Sequence, residues 1–217
     1  MNYFINKEGL PILRRMVKAI QENKSYLSDV DGLIGDGDHG MNMNKGFSLF
    51  GDRFADQNIN FTNGLDELGK VLLNEIGGSM GPIYGTIFME MAETAGDAEV
   101  IDLSLFSDML SSGLEGLYDI VDARVGDKTL VDTLAPACDA LKDALNEKKT
   151  FSDAILDMKK AAITGKESTK ALAAKYGRSS RLGERSRGVL DAGAVSCCII
   201  LEAIADGIID LCKKDET

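Results

Sequence analysis

Three aspartates lie within eight residues of one another near the amino terminus, in a glycine-rich stretch that reads DGLIGDGDHGMNMN. They are Asp31, Asp36 and Asp38. Carboxylates this close repel one another unless a cation neutralises them, and glycines let the backbone turn tightly enough to bring them together. Hard oxygen ligands in this number suit Mg2+ or Ca2+. The stretch therefore indicates a divalent metal site, and the alternative is a solvated acidic turn that caps a helix.

A calcium-binding EF-hand loop does not fit this stretch. If Asp36 were the first ligand, the sixth and twelfth positions would be Met41 and Phe47, where the EF-hand needs glycine and glutamate. Starting the loop at Asp29 or Asp31 fails in the same way. Magnesium usually keeps several waters and is shared with the phosphates of a substrate, which a short carboxylate loop permits. The metal that the sequence favours is therefore magnesium.

Two further segments could bind phosphate. Gly77–Pro82 reads GGSMGP and leads into a predicted helix, whose first N–H groups bind anions, and Ser79 adds a hydroxyl donor. It is not a Walker A loop, because it has no GK[ST]. The segment Gly177–Gly193 holds half of the eight arginines, which suit phosphates bidentately. The alternatives are an ordinary glycine turn and a surface of ion pairs.

The other side chains that could bind metal are histidine and cysteine. The only histidine, His39, directly follows Asp38, so it could orient that carboxylate or a phosphate, or serve as a structural hydrogen-bonding group. The four cysteines form no CxxC pair, which argues against a zinc site. We expect buried, reduced thiols. They are Cys138, Cys197, Cys198 and Cys212.

The elements that must position these groups are predicted to be helices. Apolar residues make up 44% of the 217 residues, there are only 3 prolines, and the apolar positions recur at helical spacing. No segment is a confident strand. The predicted helices cover about 8–26, 41–54, 64–76, 82–94, 104–123, 128–147, 151–173 and 192–213, with an aspartate loop at 28–40 and an arginine loop at 176–190. The last helix is apolar on nearly all sides, which predicts a central, buried position.

The acidic composition excludes several classes of protein. A formal net charge of -11 disfavours binding to nucleic acid and to anionic membranes. The amino terminus lacks the apolar region of a signal peptide. The most apolar stretch, 192–201, falls well short of the roughly 20 residues that a bilayer requires. We expect a cytoplasmic protein.

Four motifs, taken together and in order, resemble those of one family. They are the aspartate loop, GGSMGPIYG at Gly77–Gly85, GDKTLVD at Gly126–Asp132 and LGERSRGVLDAGAVS at Leu182–Ser196. The chain resembles the L subunit of bacterial dihydroxyacetone kinases over essentially its whole length. The resemblance implies an all-α fold in a single domain, residues 1–217, built as an eight-helix antiparallel up-and-down barrel with the nucleotide at one end.

The same resemblance implies two Mg2+ ions that bridge the phosphates of ADP, with Asp31, Asp36 and Asp38 as ligands. It implies nucleotide contacts from His39, Gly40, Met41, Asn42, Ser79, Met80, Gly126, Ala135, Arg178, Asp191, Ala192 and Gly193. Two positions depart from the family. Met80 stands where the family often has serine, which removes a hydroxyl, and Asp191–Gly193 reads DAG in place of DPG, which is expected to loosen the lid over adenine.

The function that the resemblance implies is a phosphotransferase subunit that acts only with partners. Bound ADP is phosphorylated to ATP by a phosphohistidine on an M subunit, and the phosphoryl group then moves to dihydroxyacetone held on a K subunit. One alternative is the same subunit in a kinase for a related ketose such as erythrulose, driven by free ATP or by the phosphotransferase system. Another is a nucleotide-sensing module, since L-type subunits also bind a transcription regulator. The oligomeric state stays open, and a homodimer is one option.

Overall fold

The computed structural model describes residues 2–54 and 57–214. Over these residues the chain forms nine α-helices, two short strands and three 3-10 turns, so the prediction of an all-α fold is confirmed. The helices are α1 (Leu10–Glu22), α2 (Lys24–Ile34), α3 (His39–Phe54), α4 (Phe61–Glu75), α5 (Met80–Ala95), α6 (Leu103–Ile120), α7 (Val131–Asn146), α8 (Phe151–Ser168) and α9 (Ala192–Lys214). The strands are β1 (Tyr3–Ile5) and β2 (Val100–Asp102).

Eight of these helices form a closed ring around one apolar core. From α3 to α9, each helix packs against the next one along the chain; α1 packs on α3, and α9 closes the ring by packing on α1. This is the predicted eight-helix barrel. The sequence did not predict the ninth helix, α2, which packs against α3 and α9.

Four phenylalanines and the strand pair close one end of the ring. Phe4 in β1 meets Phe61 at the start of α4 edge-on, with 5.4 Å between ring centroids, and lies 6.4 Å from Phe151 at the start of α8. Phe106, near the start of α6, lies 6.1 Å from Phe151. The first turns of α4, α6 and α8 therefore point to this end. In an up-and-down ring the first turns of α3, α5, α7 and α9 then lie at the opposite end.

The strand pair is an addition to the predicted elements. β1 and β2 run antiparallel with Phe4 opposite Ile101, and each strand has only 3 residues, too few for an alternating pattern to show in the sequence. The buried amide of Asn6 attaches the pair to α4. Its Nδ2 donates to Thr62 Oγ1 (2.8 Å) and to the carbonyl of Ala98 (2.7 Å), and its Oδ1 accepts from the amide of Thr62 (3.0 Å).

The predicted division between a helix at 8–26 and a loop at 28–40 is wrong. The helix is interrupted after α1, and α2 then continues to Ile34, so that Asp31 is a helical residue and the loop shrinks to 35–38. The reason is tertiary packing, which overrides the glycines of this stretch. Three apolar side chains of α2 recur at helical spacing and are buried: Leu27, Val30 and Ile34.

Helix α9 is buried, as the sequence predicts, but it is a member of the ring and not a central helix inside it. It is long and apolar enough by composition to cross a membrane, yet 72% of its most apolar window is buried inside the protein, as in the core helix of a globular fold. The four cysteines are buried and form no disulfide, in agreement with the prediction of buried, reduced thiols. Three of them lie on α9 and Cys138 lies on α7.

Candidate metal and nucleotide site

A cavity of about 470 Å3 lies at the end of the ring opposite the strand pair. Its wall includes the first residues of four long helices, which are His39 of α3, Met80 of α5, Val131 of α7 and Ala192 of α9. The first N–H groups of a helix have no partner within the helix, and the helix dipole is positive there. Four helix starts around one cavity therefore favour an anionic ligand such as a phosphate group.

The three predicted metal ligands meet at this cavity. One carboxylate oxygen from each of Asp31, Asp36 and Asp38 lies within 4.8 Å of the others. All three residues line the cavity, Asp31 from the last turn of α2 and the other two from the loop that follows. This donor set, made of hard oxygen atoms beside an anion-binding wall, fits the way Mg2+ is bound between carboxylates and phosphates.

Close backbone packing holds Asp31 in the cluster. A Cβ at Gly35 would lie 2.2 Å from Asp31 Oδ1 and 2.9 Å from the Asp31 carbonyl oxygen, so only glycine leaves room for this carboxylate. The amide of Gly35 donates to the carbonyl of Asp31 (2.5 Å), and the amide of His39 donates to Asp31 Oδ2 at 3.3 Å. The end of α2 and the start of α3 thus position the same side chain.

The ring of His39 faces a buried hydrogen-bond network. Its Nε2 lies 2.8 Å from Ser196 Oγ, which in turn lies 2.6 Å from the hydroxyl of Tyr84 and 3.1 Å from the carbonyl of Gly193. Burial lowers the pKa of His39 to about 4, against the opposite effect of the Asp31 carboxylate, so the ring is neutral at pH 7. The network connects α3, α5 and α9 beneath the cavity, and the sequence indicated neither Tyr84 nor Ser196 as part of it.

Asp191 caps the start of α9 at the cavity wall. Its Oδ2 accepts a hydrogen bond from the amide of Ala194 at 2.8 Å. Burial raises the pKa of Asp191 to about 7, although the Ala194 hydrogen bond and the ammonium of Lys128 both lower it. A bound divalent cation or another positive group would favour the charged form. The predicted contacts Ala192 and Gly193 follow in the same turn and also line the cavity.

Only one of the four arginines of the predicted arginine loop lines the cavity. Arg178 pairs with Asp36 across the cavity mouth, and its neighbours Tyr176, Gly177 and Ser179 also line the wall. The others point elsewhere. Arg187 pairs with Glu184 at 2.6 Å, and the other two arginines are exposed away from the cavity: Arg181 and Arg185.

Five of the predicted nucleotide contacts do not line the cavity. They are Gly40, Met41, Asn42, Gly126 and Ala135. Gly40 packs against α2, where a Cβ would lie 2.0 Å from the carbonyl oxygen of Lys24, and Met41 is half exposed on the outer face of α3. Gly126 has a left-handed backbone (φ 96°) in the turn before α7, and Ala135 is buried within α7. The remaining seven predicted contacts lie in the wall.

The GDKTLVD motif forms a compact turn beside the cavity. Asp132, almost fully buried, accepts hydrogen bonds from the amides of Gly126 (2.6 Å) and Thr129 (2.8 Å). The apolar part of the wall comes from side chains that are spread over several elements, some of them inside the motifs, and the sequence analysis assigned none of them to the site. They are Ile34, Ile83, Ile120, Val121, Ala123, Leu130 and Val131.

Fold and site together define a class of protein: a helical barrel whose open end combines three converging carboxylates with the starts of four helices. The sequence profile of the DAK2 domain matches residues 33–206, and the chain belongs to this family. The family resemblance seen in the sequence is thereby confirmed.

Three curated relatives illustrate the match. The chain is 38% identical to the ADP-binding subunit DhaL of the PEP-dependent dihydroxyacetone kinase 1 of Listeria innocua, over 86% of this chain and 89% of that protein. It is 33% identical to the corresponding Escherichia coli subunit, over 89% and 92%. It is 28% identical to the L-erythrulose 1-kinase of Mycolicibacterium smegmatis, of which it spans only 34%. These relatives are kinases, which confirms the predicted phosphotransferase class.

A solved structure shares the fold. The native dihydroxyacetone kinase of C. freundii superimposes with a TM-score of 0.69 at 22% identity, over 90% of this chain and 33% of that one. The chain therefore spans about a third of that kinase. At this identity the likeness establishes the helical barrel and no more.

Proposed function

We propose that this chain is the ADP-binding subunit of a multi-subunit dihydroxyacetone kinase of the phosphoenolpyruvate-dependent type. It holds ADP or ATP with two Mg2+ ions, and the nucleotide carries a phosphoryl group from a phosphohistidine on an M subunit to dihydroxyacetone on a K subunit. The observation that carries the proposal is the meeting of three carboxylate oxygens within 4.8 Å at a cavity bounded by four helix starts. The match to relatives named as ADP-binding subunits, nearly end to end, supports it.

Each part of the wall has a proposed task. Asp31, Asp36 and Asp38 hold the divalent cations. The first N–H groups of α3, α5, α7 and α9 bind the phosphates, and the apolar wall binds the base. When bound, Mg2+ would neutralise the phosphate charge, which would otherwise repel a nucleophile. Arg178 brings a further positive charge to the mouth, where it already pairs with Asp36. The contribution of this chain is positioning and electrostatics.

The state of the only histidine supports a separate sugar-binding subunit. The family resemblance implies that dihydroxyacetone is attached covalently to a histidine of the K subunit, and we include this attachment in the proposal. His39 is buried, and its Nε2 is engaged by Ser196 at 2.8 Å. A side chain held in this way is unsuited to covalent attachment of a sugar, so the ketose must be presented by a partner.

Exposed apolar side chains around the cavity support docking of partners at this end. Five large hydrophobic residues, between 40% and 66% exposed, lie on or next to segments that line the cavity, and we propose that they contact the K and M subunits in turn. They are Leu33, Met41, Ile120, Val125 and Tyr176. The same surface would serve a transcription regulator or a second copy of the chain. The proposed setting is the cytoplasm, where the phosphotransferase system operates.

A subunit of a related ketose kinase is the second candidate. The erythrulose kinase match supports it, but the identity to that enzyme is 28%, against 38% to the Listeria dihydroxyacetone kinase subunit, which favours dihydroxyacetone as the ketose. An assay with the partner subunits, each ketose, and phosphoenolpyruvate or ATP as donor separates the two. A purely nucleotide-sensing module is disfavoured because the three carboxylates are all present and converge.

Native mass spectrometry of the purified chain tests the proposal directly. We expect co-purified ADP with two Mg2+ ions, loss of both in Asp36→Ala, and retention in Asp52→Ala, which removes an exposed carboxylate of α3 outside the cluster. Kinase flux in the reconstituted system should follow the same order. Full flux and nucleotide retention in Asp36→Ala would refute the assignment.

A further inference from the structure

Lys128 is a fully buried lysine that no ion pair accounts for among the described residues. It has a left-handed backbone (φ 61°), a conformation that residues other than glycine rarely adopt. Its side chain is 0% exposed. Burying an ammonium group is unfavourable unless its hydrogen bonds are satisfied, so both the backbone strain and the burial require compensation from the contacts that Lys128 makes.

Those contacts are two backbone carbonyls at opposite ends of one segment. Lys128 Nζ donates to the carbonyl of Thr169 at 2.6 Å and to the carbonyl of Val189. Thr169 follows the end of α8, and Val189 lies just before α9. The ammonium group therefore closes the base of the segment 170–188, which we name the arginine segment because it carries Arg178.

Further hydrogen bonds continue the closure inside the arginine segment. The amide of Gly188 donates to the carbonyl of Lys170 (2.8 Å), and the Arg187 guanidinium donates to the carbonyl of Ala171. Ser186 Oγ is fully buried and accepts from the amide of Ala174 at 2.8 Å. Successive hydrogen-bonded pairs thus join the two limbs of the arginine segment, 170–174 and 186–188. The contacts of Lys128 are the ones in this series that lie next to the cavity.

The distal part of the arginine segment forms the cavity mouth. Lys175 is tied to the residue preceding Lys128, because its amide donates to the Asp127 carbonyl (3.1 Å) and its Nζ pairs with Asp127 Oδ1 (2.5 Å). The next residues, 176–179, line the cavity, and Arg178 reaches Asp36. Movement of the base of the segment would therefore move Arg178 relative to the carboxylate cluster.

We propose that Lys128 is a positioning residue that fixes the arginine segment over the cavity, so that Arg178 is held where it can retain a nucleoside diphosphate. The inference rests on the proposed nucleotide site. Because the two carbonyls lie at the two ends of the segment, a single ammonium group joins both ends, and it does so beside the hydrogen bond from the amide of Asp191 to Thr169 Oγ1 (3.1 Å). A neutral side chain of the same length and without donors would remove the hydrogen bond of Lys128 to the Val189 carbonyl and would leave the Thr169 carbonyl with only the amide of Leu172 (3.2 Å).

The test compares Lys128→Met, Lys128→Arg and Arg178→Ala in the full chain, with Lys159→Met as the matched control. Lys159 is a partly buried lysine that pairs with Asp206 at 2.8 Å and does not line the cavity. Lys128→Met should raise the ADP dissociation rate at least about tenfold, and Lys128→Arg, which keeps the donors, should restore it to within about threefold of wild type. The control should leave the rate unchanged.

Non-additivity distinguishes positioning from general destabilisation. If Lys128 acts through Arg178, the double variant Lys128→Met with Arg178→Ala should dissociate ADP no faster than about twice the rate of the faster single variant. Hydrogen exchange without nucleotide gives an independent readout, in which amides of residues 170–190 should exchange at least about tenfold faster in Lys128→Met, with the rest of the chain unchanged. If that variant does not fold, Lys128→Gln, which retains N–H donors on a shorter side chain, should show the same segment-specific change.

Unchanged exchange in the arginine segment, or fully multiplicative effects on the ADP dissociation rate, would overturn the inference. Failure of the wild-type chain to bind ADP at all would instead overturn the proposed function. The exchange measurement needs no nucleotide, so the two failures are distinguishable.

Discussion

Changing Asp38 to asparagine is expected to stabilise the nucleotide-free protein while abolishing its stabilisation by Mg2+ and ADP. Asp38 is one of the three carboxylates whose nearest oxygens lie within 4.8 Å of one another. Asparagine has nearly the same shape and is equally suited to the start of a helix, so it removes the charge with little change in packing. The two opposing effects have a common origin in the charge of the cluster.

The magnitude follows from the geometry. Two unit charges no more than 4.8 Å apart repel each other by about 0.9 kcal/mol or more even at the dielectric constant of water. Asp38→Asn eliminates two of the three pairwise repulsions, so the free energy of unfolding without ligand should rise by about 2 kcal/mol. A ligand at 100 times its dissociation constant stabilises the wild type by about 2.7 kcal/mol, so its addition should reverse the order of the two proteins.

Urea unfolding of both proteins, with and without MgADP, measures these differences. Asp52→Asn serves as the control, because it removes one exposed carboxylate of α3 that is not in the cluster, and its unfolding free energy should respond to MgADP as the wild type does. The reasoning is refuted if Asp38→Asn is no more stable than wild type without ligand and gains as much as wild type from MgADP.

Three further predictions follow from the site. Gly35→Ala places a Cβ 2.2 Å from Asp31 Oδ1, so the carboxylate must move. The dissociation constant for Mg2+, measured by calorimetry, should therefore rise at least about tenfold. An unchanged constant would contradict the packing argument. Arg178→Ala breaks an exposed ion pair with Asp36, so the free energy of unfolding should change by less than about 1 kcal/mol while the ADP dissociation rate rises, and an equal rate would count against the role of this arginine. Burial raises the pKa of Asp191 from 3.8 to about 7, so its contribution to stability is fully present below pH 4 and is lost as the pH rises through 7. Asp191→Asn should therefore gain stability relative to wild type between pH 4 and pH 8, by at most about 4 kcal/mol, and a difference in unfolding free energy that is independent of pH would exclude this shift.

Local spacing was sufficient to predict most helices and the carboxylate cluster. The apolar positions of the amphipathic helices recur within each helix, so the sequence alone carries that signal. Asp31, Asp36 and Asp38 are close in the chain, and the structure brings them together as the intervening glycines predicted. The motif of Gly77–Gly85 likewise leads into α5, whose start lines the cavity.

Contacts between distant residues could not be predicted in the same way. The sequence did not reveal that α2 extends to Ile34, that two strands of 3 residues pair, or that Ser196 reaches His39 across 157 positions. The residue pattern also did not distinguish the four arginines of the arginine loop; the family resemblance singled out Arg178, and the fold directs that one into the cavity.

By itself, therefore, the sequence determined the helical class, the family and the identity of the acidic cluster, because each depends on residue types at short spacing. The tertiary structure decided which helix starts share a cavity, which arginine faces the carboxylates and why Lys128 is buried. These depend on closing the ring of eight helices, which brings α3, α5, α7 and α9 to one end through contacts that no local pattern encodes.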